Sequence, residues 1–203
     1  ALHGVDAIGV FSDGGAKHPL LSENRLVAIS AAVDRGAGIG LMHYAVEPTL
    51  PQGHQEFLDW IGGTFEVNWS VNPHWEAEFA MIPDHPVTRG LQPFKLLDEW
   101  YFHLRFVEGM KGVTPLLVAR APASIMARPN GTHSGNAAVR AAVARGEAQT
   151  LAWVFDRPDG GRGFGFTGGH YHPNWGDGNF RTLVLNAILW LARMDVPVEG
   201  FVS

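Results

Sequence analysis

Short apolar runs separated by turn-forming residues organise the chain. Val5 to Phe11 is such a run, closed by Ser12-Asp13-Gly14-Gly15, which predicts a strand and a turn. Ser22 is placed as an N-cap with Glu23 in the first turn. Leu26, Ile29, Ala32 and Val33 then recur at helical spacing until Gly36 ends the helix. Gly38 to Met42 is a second apolar strand, running directly into His43. Strand, helix and strand in so short a span predict a right-handed βαβ unit in a parallel sheet.

Further along, a helix is predicted over His54 to Ile61, ending at Gly62-Gly63, with strands over Thr64 to Ser70 and Trp75 to Ile82. Leu96 to Phe106 alternates cleanly, with Trp100, Phe102, Leu104 and Phe106 on one face and Glu99, Tyr101, His103 and Arg105 on the other. Val113 to Ala119 reads as a strand, Ala121 to Gly135 as a loop and Asn136 to Arg145 as a short helix. Thr150 to Phe155 and Gly163 to Thr167 form a hairpin around Asp159-Gly160-Gly161. Phe180, Leu183, Val184, Ala187, Ile188 and Leu191 give the last helix, to about Arg193, a continuous apolar stripe. No repeat or low-complexity tract interrupts this order.

Composition narrows the function classes. With 46% hydrophobic residues, 203 residues can close one core, so a single domain over 1–203 is expected. A net charge of -5 without a basic stripe disfavours nucleic acid, and no apolar run is long enough to span a membrane. The start carries no charged n-region with an apolar h-region, so no signal peptide is read there. Cysteine is absent, which removes disulfides, thiolate metal sites and a cysteine nucleophile together. Glycine, tryptophan and histidine are abundant, and the last two serve recognition surfaces.

In an open α/β sheet, ligands bind beyond the carboxyl ends of the strands. His43 follows one predicted strand, His170 and His172 follow another, and the loop after Gly15 holds His18. In an extended backbone His170-x-His172 directs both rings at one point, and Glu99 and His103, four apart, share a face. Such nitrogen and oxygen donors suit Zn, Mn or Fe. Carboxylate pairs for glycosidic chemistry could come from Glu47, Glu76, Glu78 and Glu99. Trp75 and Trp175 stand beside His74 and His172, as stacking walls for a sugar would, whereas Trp60, Trp100, Trp153 and Trp190 read as core. His85 reads as a turn scaffold, and His3, His54 and His133 as surface residues. There is no G-x-S-x-G, no phosphate loop and no dinucleotide fingerprint, so no nucleotide cofactor is expected.

Several segments together resemble the ThuA-like (trehalose utilisation) family. They are Gly38 to Ala45 (GIGLMHYA), Asp84 to Leu91 (DHPVTRGL), Asp98 to Tyr101 (DEWY), Gly161 to Phe166 with Gly169-His170, and Ile188 to Ala192. The resemblance implies a flavodoxin-like, doubly wound, mainly parallel sheet with helices on both faces and extra antiparallel strands, as in class I glutamine amidotransferases. It places His43 where those enzymes hold their nucleophilic cysteine and His170 near their catalytic histidine. With the thiol gone, ammonia release from glutamine is not expected. It also implies a strand upstream of Val5, so Val5 to Phe11 and Gly38 to Met42 are both expected to be central. An upstream segment or a second chain is expected to fill the place beside them.

The resulting expectation is a sugar-active enzyme acting on a glycoside or 3-keto-glycoside with a divalent metal, Zn, Mn or Fe. His43, Glu99 and His170 are the metal ligands and catalytic groups, with His74, His103 and His172 in reserve. Trp75, Tyr101, Trp175, Glu47 and His172 are the substrate-binding candidates. A non-catalytic carbohydrate-binding or accessory domain is the rival. The expected partner is a small-molecule sugar, with neither nucleic acid nor membrane, and the setting a soluble bacterial protein of cytoplasm or periplasm. Homo-oligomerisation is left open.

Overall fold

The computed structural model describes residues 2–21 and 24–201. In chain order its elements are β1 (Ala7–Phe11), α1 (Arg25–Asp34), β2 (Gly38–Met42), α2 (His54–Ile61), β3 (Gly63–Thr64), β4 (His74–Phe79) and β5 (Phe94–Glu99). They continue as β6 (Arg105–Phe106), β7 (Val113–Arg120), α3 (Ala137–Ala144), β8 (Ala148–Asp156), β9 (Arg162–Phe166) and α4 (Gly178–Leu191). The main sheet has the order β1-β2-β9-β8-β7. β1, β2 and β9 are mutually parallel, while β8 runs against both β9 and β7. Four of the five strands therefore share one direction, the mainly parallel α/β arrangement expected.

Helices cover both faces. α4 packs with Phe164 and Phe166 in one core, which also takes in α3 and the β4–β5 hairpin. α1 and α2 pack with Ile39, Leu41 and Trp153 in the other. Glycine spacing in two neighbouring strands fits these layers. A Cβ on Gly38 would meet the Leu191 carbonyl at 2.3 Å, so β2 presents glycine to α4 and Ile39 and Leu41 to α1 and α2. β9 does the reverse: a Cβ on Gly163 would strike Trp60 O of α2 at 2.2 Å, while Phe164 and Phe166 face α4. Asn136 and Asp177 cap α3 and α4 through bonds from Val139 N and Phe180 N, each worth about 1 kcal/mol.

β1 pairs in parallel with β2, as expected, and among the described residues its other edge faces the place assigned to an upstream strand or a second chain. Two expectations need correction. Thr64 to Ser70 is a strand only at Thr64. Trp69 N and Ser70 N bond to Glu66 O while the Ser70 hydroxyl accepts from Glu66 N, so local turn bonds replace the ladder. Leu96 to Phe106 is likewise two strands: β5 pairs with β4, β6 with β3. The alternation persists through Phe102 and then reverses at His103, whose φ of 57° turns the chain. Leu104 and Phe106 consequently join Tyr101 in the second core. The Ser22 and Glu23 cap falls outside the described residues. No described helix is long and apolar enough to cross a membrane.

Candidate functional site

Three strand ends converge on one point. β2 delivers His43, β5 delivers Glu99, and the turn after β9 delivers His170. His43 sits at φ 53°, a left-handed conformation rare for a residue with a side chain and concentrated at functional turns. The β9 turn is shaped by Asp98, which is fully buried. Its carboxylate accepts the backbone N–H groups of Gly169 (2.8 Å), His170 (2.9 Å) and Tyr171 (3.3 Å), together with the Asn174 amide (2.9 Å). Gly169, at φ 125°, takes a conformation that a side chain would strain. Asp98 thus fixes where His170 stands.

Glu99 Oε2 lies 3.1 Å from His170 Nδ1 and 3.6 Å from His43 Nε2; Oε1 accepts the Asn72 amide at 3.0 Å and faces His74 Nε2 at 3.8 Å. The three candidate ligand atoms lie within 4.8 Å of one another. His43 Nδ1–H donates to Thr167 O at 3.2 Å, leaving the Nε2 lone pair aimed at Glu99. That is the anchoring found on metal-bound histidines, where a backbone carbonyl fixes tautomer and ring plane. Burial holds His43 below the ordinary imidazole range, so it stays neutral and ligand-ready. Burial pushes the Glu99 carboxyl up, opposed by His170, His74 and a hydrogen bond from Tyr101. Burial and the Glu99 charge raise the Tyr101 phenol far above its usual range, so it remains a neutral donor. Two imidazoles and one carboxylate, with open space beside them, fit a divalent ion such as Zn or Fe.

The cluster opens into a cleft of about 820 Å³. Phe11, Asp13, Tyr44, Asn72 and Tyr101 line it with the cluster, and the loop before α3 contributes Arg128, Thr132, His133 and Ser134. His133 is not a surface residue, as its sequence context suggested. Its Nε2 donates to both oxygens of buried Glu47 at 3.0 and 3.1 Å, and its ring stacks on Phe65. Burial pushes the Glu47 carboxyl up against the opposing pull of His133.

A family model for trehalose utilisation (ThuA) matches residues 1–191. The chain belongs to the ThuA family. Solved structures that share its fold include two of proteins described as ThuA-like. One, from Bacteroides uniformis, is 19% identical, with a TM-score of 0.65 over 94% of this chain and 70% of the other. The second, from Parabacteroides merdae, is 15% identical, with a TM-score of 0.66 over 97% of this chain and 74% of the other. No curated protein matches the chain.

Within this ThuA domain the other candidates part company. His74 reaches the cluster and bonds Tyr171 through Nδ1, and His172 lines the cleft, but the reserve role of His103 is not supported. His103 stacks on Trp69 at 4.3 Å, with Nδ1 bonded to Trp69 O, and Arg105 covers the same indole. Its four-residue spacing from Glu99 fails because β5 ends between them. Trp75 cannot be a stacking wall: it is 3% exposed, edge-on to Phe102, with its indole N–H bonded to Trp100 O. Trp175 is half-buried against Phe11 and Phe180, outside the cleft lining. Tyr101 lines the cleft, while Glu47 stands behind His133. Glu76 and Glu78 face solvent. His18 is locked in the core, with Nε2 on Ala45 O and Nδ1 accepting from Leu20 N. Asp98 was missed, although a carboxylate inside the apolar run Leu96-Leu97-Asp98 was a visible signal. Phe11, 41% exposed on the rim, offers the flat aromatic face that Trp75 does not.

Proposed function

We propose that this ThuA domain converts a glycoside or keto-glycoside, with His43, Glu99 and His170 holding a divalent metal ion. The observation that carries this reading is the approach of three ligand atoms from three separate strand ends, with His43 already anchored through its other nitrogen. The family's link with trehalose utilisation and a polar cleft rimmed by Phe11 support a sugar as ligand. A bound ion would supply Lewis-acid polarisation of a carbonyl or lower the pKa of a water. Around it, Asn72 and Tyr101 fix the Glu99 carboxylate by donating to it, and Asp98 holds the backbone that carries His170. His133, backed by Glu47, faces the same cleft with its Nδ1 beside the Thr132 hydroxyl at 3.0 Å, placed to exchange a proton with a sugar hydroxyl. Metal analysis of protein purified without chelators should give close to one Zn, Mn or Fe per chain, lost in His170→Ala. Protein that neither retains nor takes up such an ion would overturn the metal reading.

A further inference from the structure

The loop before α3 places a cation in the cleft that the proposed chemistry does not use. Arg128 lines the cleft, and its Nη2 makes only long bonds, 3.3 Å to Asn72 Oδ1 and 3.4 Å to His133 O. Arg105, Arg145 and Arg157 each hold a carboxylate, whereas Arg128, like Arg89, Arg140 and Arg162, bonds only uncharged oxygens among the described residues, and of these four it alone lines the cleft. A guanidinium facing a cleft with no carboxylate at ion-pair distance can take an anionic ligand. Its neighbour there, the Ser134 hydroxyl, can also donate.

Asn72 ties this site to the metal cluster, since its amide donates to Glu99 while its carbonyl oxygen accepts from Arg128. The guanidinium therefore stands within about 9 Å of the Glu99 carboxylate, given ordinary amide dimensions. That is about the reach of one pyranose ring carrying an acidic substituent. We propose that Arg128 recognises a carboxylate on the substrate, so that the sugar is a uronic or aldonic acid derivative held between Arg128 and the metal cluster. A planar monoanion suits a single guanidinium fork, and Asp13 on the same lining disfavours a dianion. This rests on the sugar reading above and narrows its substrate class.

Calorimetric titration of the purified protein with D-glucuronate, D-glucose and D-glucose 6-phosphate, with and without added Zn, tests it. Glucuronate should bind at least about 10-fold more tightly than glucose, and Arg128→Gln should remove that preference while Zn uptake stays unchanged. Equal affinity for glucuronate and glucose, no binding of either, or a preference that survives Arg128→Gln overturns the proposal. Tighter binding of glucose 6-phosphate than of glucuronate overturns the carboxylate assignment. Zn uptake is read separately in the same protein, so a failed metal site and a failed anion site give different results. The thermal midpoint of Arg128→Gln shows whether its loop remains in place.

Discussion

The turns after β1 and β2 each bring a histidine inward at the same end of the sheet, and the two end in opposite circumstances. His18, in the first turn, is 2% exposed and has both ring nitrogens bonded to backbone, one donating to Ala45 O and one accepting from Leu20 N. His43, in the second, has one nitrogen bonded to Thr167 O and the other directed at Glu99 and the cleft. Burial keeps both rings below the ordinary imidazole range. What distinguishes a structural histidine from a chemically available one is therefore the number of uncommitted ring nitrogens, a matter of a few ångströms of backbone placement.

The sharpest way to break this contrast is to disturb what positions His170. Asp98→Ala leaves several buried N–H groups without an acceptor and should cost about 3–5 kcal/mol in denaturant unfolding, with metal uptake lost alongside. A small loss would show that Asp98 does not hold the β9 turn. The two histidines should then respond in opposite ways. His18→Ala should lower stability by about 2–3 kcal/mol and leave metal affinity unchanged, because it orphans a buried carbonyl and an N–H. His43→Ala, which orphans only the Thr167 carbonyl, should cost about 1–2 kcal/mol while reducing metal affinity more than about 100-fold. Matching responses in the two variants would erase the distinction.

A smaller effect is expected from pH. Burial depresses the pKa of His18, His85 and His103 in the folded chain, so the unfolded chain binds more protons once the pH drops below the unperturbed value near 6.5. The raised Glu47 and Glu99 carboxyls contribute with the opposite sign, so the readout is a difference: His18→Gln should lose less stability than the unaltered metal-free protein as pH falls from 7 toward 5. Equal losses of thermal midpoint in the two proteins from pH 7 to pH 5 would show that the His18 ring charges freely in the fold. The smallest expected change is in Phe11→Ala, with sugar binding weakened by about 1 kcal/mol and a stability loss no larger than that, since the ring is 41% exposed. Trp75→Ala would instead destabilise the core, which separates rim from interior.

Much of this was legible along the chain. The βαβ start, the β8–β9 hairpin and the stripe of α4 follow from local periodicity, which registers burial of one face directly. His43, Glu99 and His170 were legible too, because each follows or ends a strand in an α/β pattern and falls in a family motif. His103 was misplaced because spacing from Glu99 assumes an unbroken strand, and a single left-handed residue removed that assumption. Trp75 was misplaced because a tryptophan beside a histidine looks the same whether its ring points at the cleft or at Phe102. Arg128 and His133 went unseen in a loop with no periodicity to read.

The sequence by itself determined the α/β layers, the absence of thiol chemistry and which strand ends carry histidine and carboxylate, since these depend on residue type and local order. Tertiary structure alone decided the bond between His133 and Glu47, 86 residues apart, and the command of Asp98 over a turn 71 residues later. Pairing of that kind depends on where distant segments cross, and side-chain hydrogen bonds reach only about 3 Å. Short-range periodicity says which face is buried, and only the assembled sheet brings particular donors and acceptors within that reach.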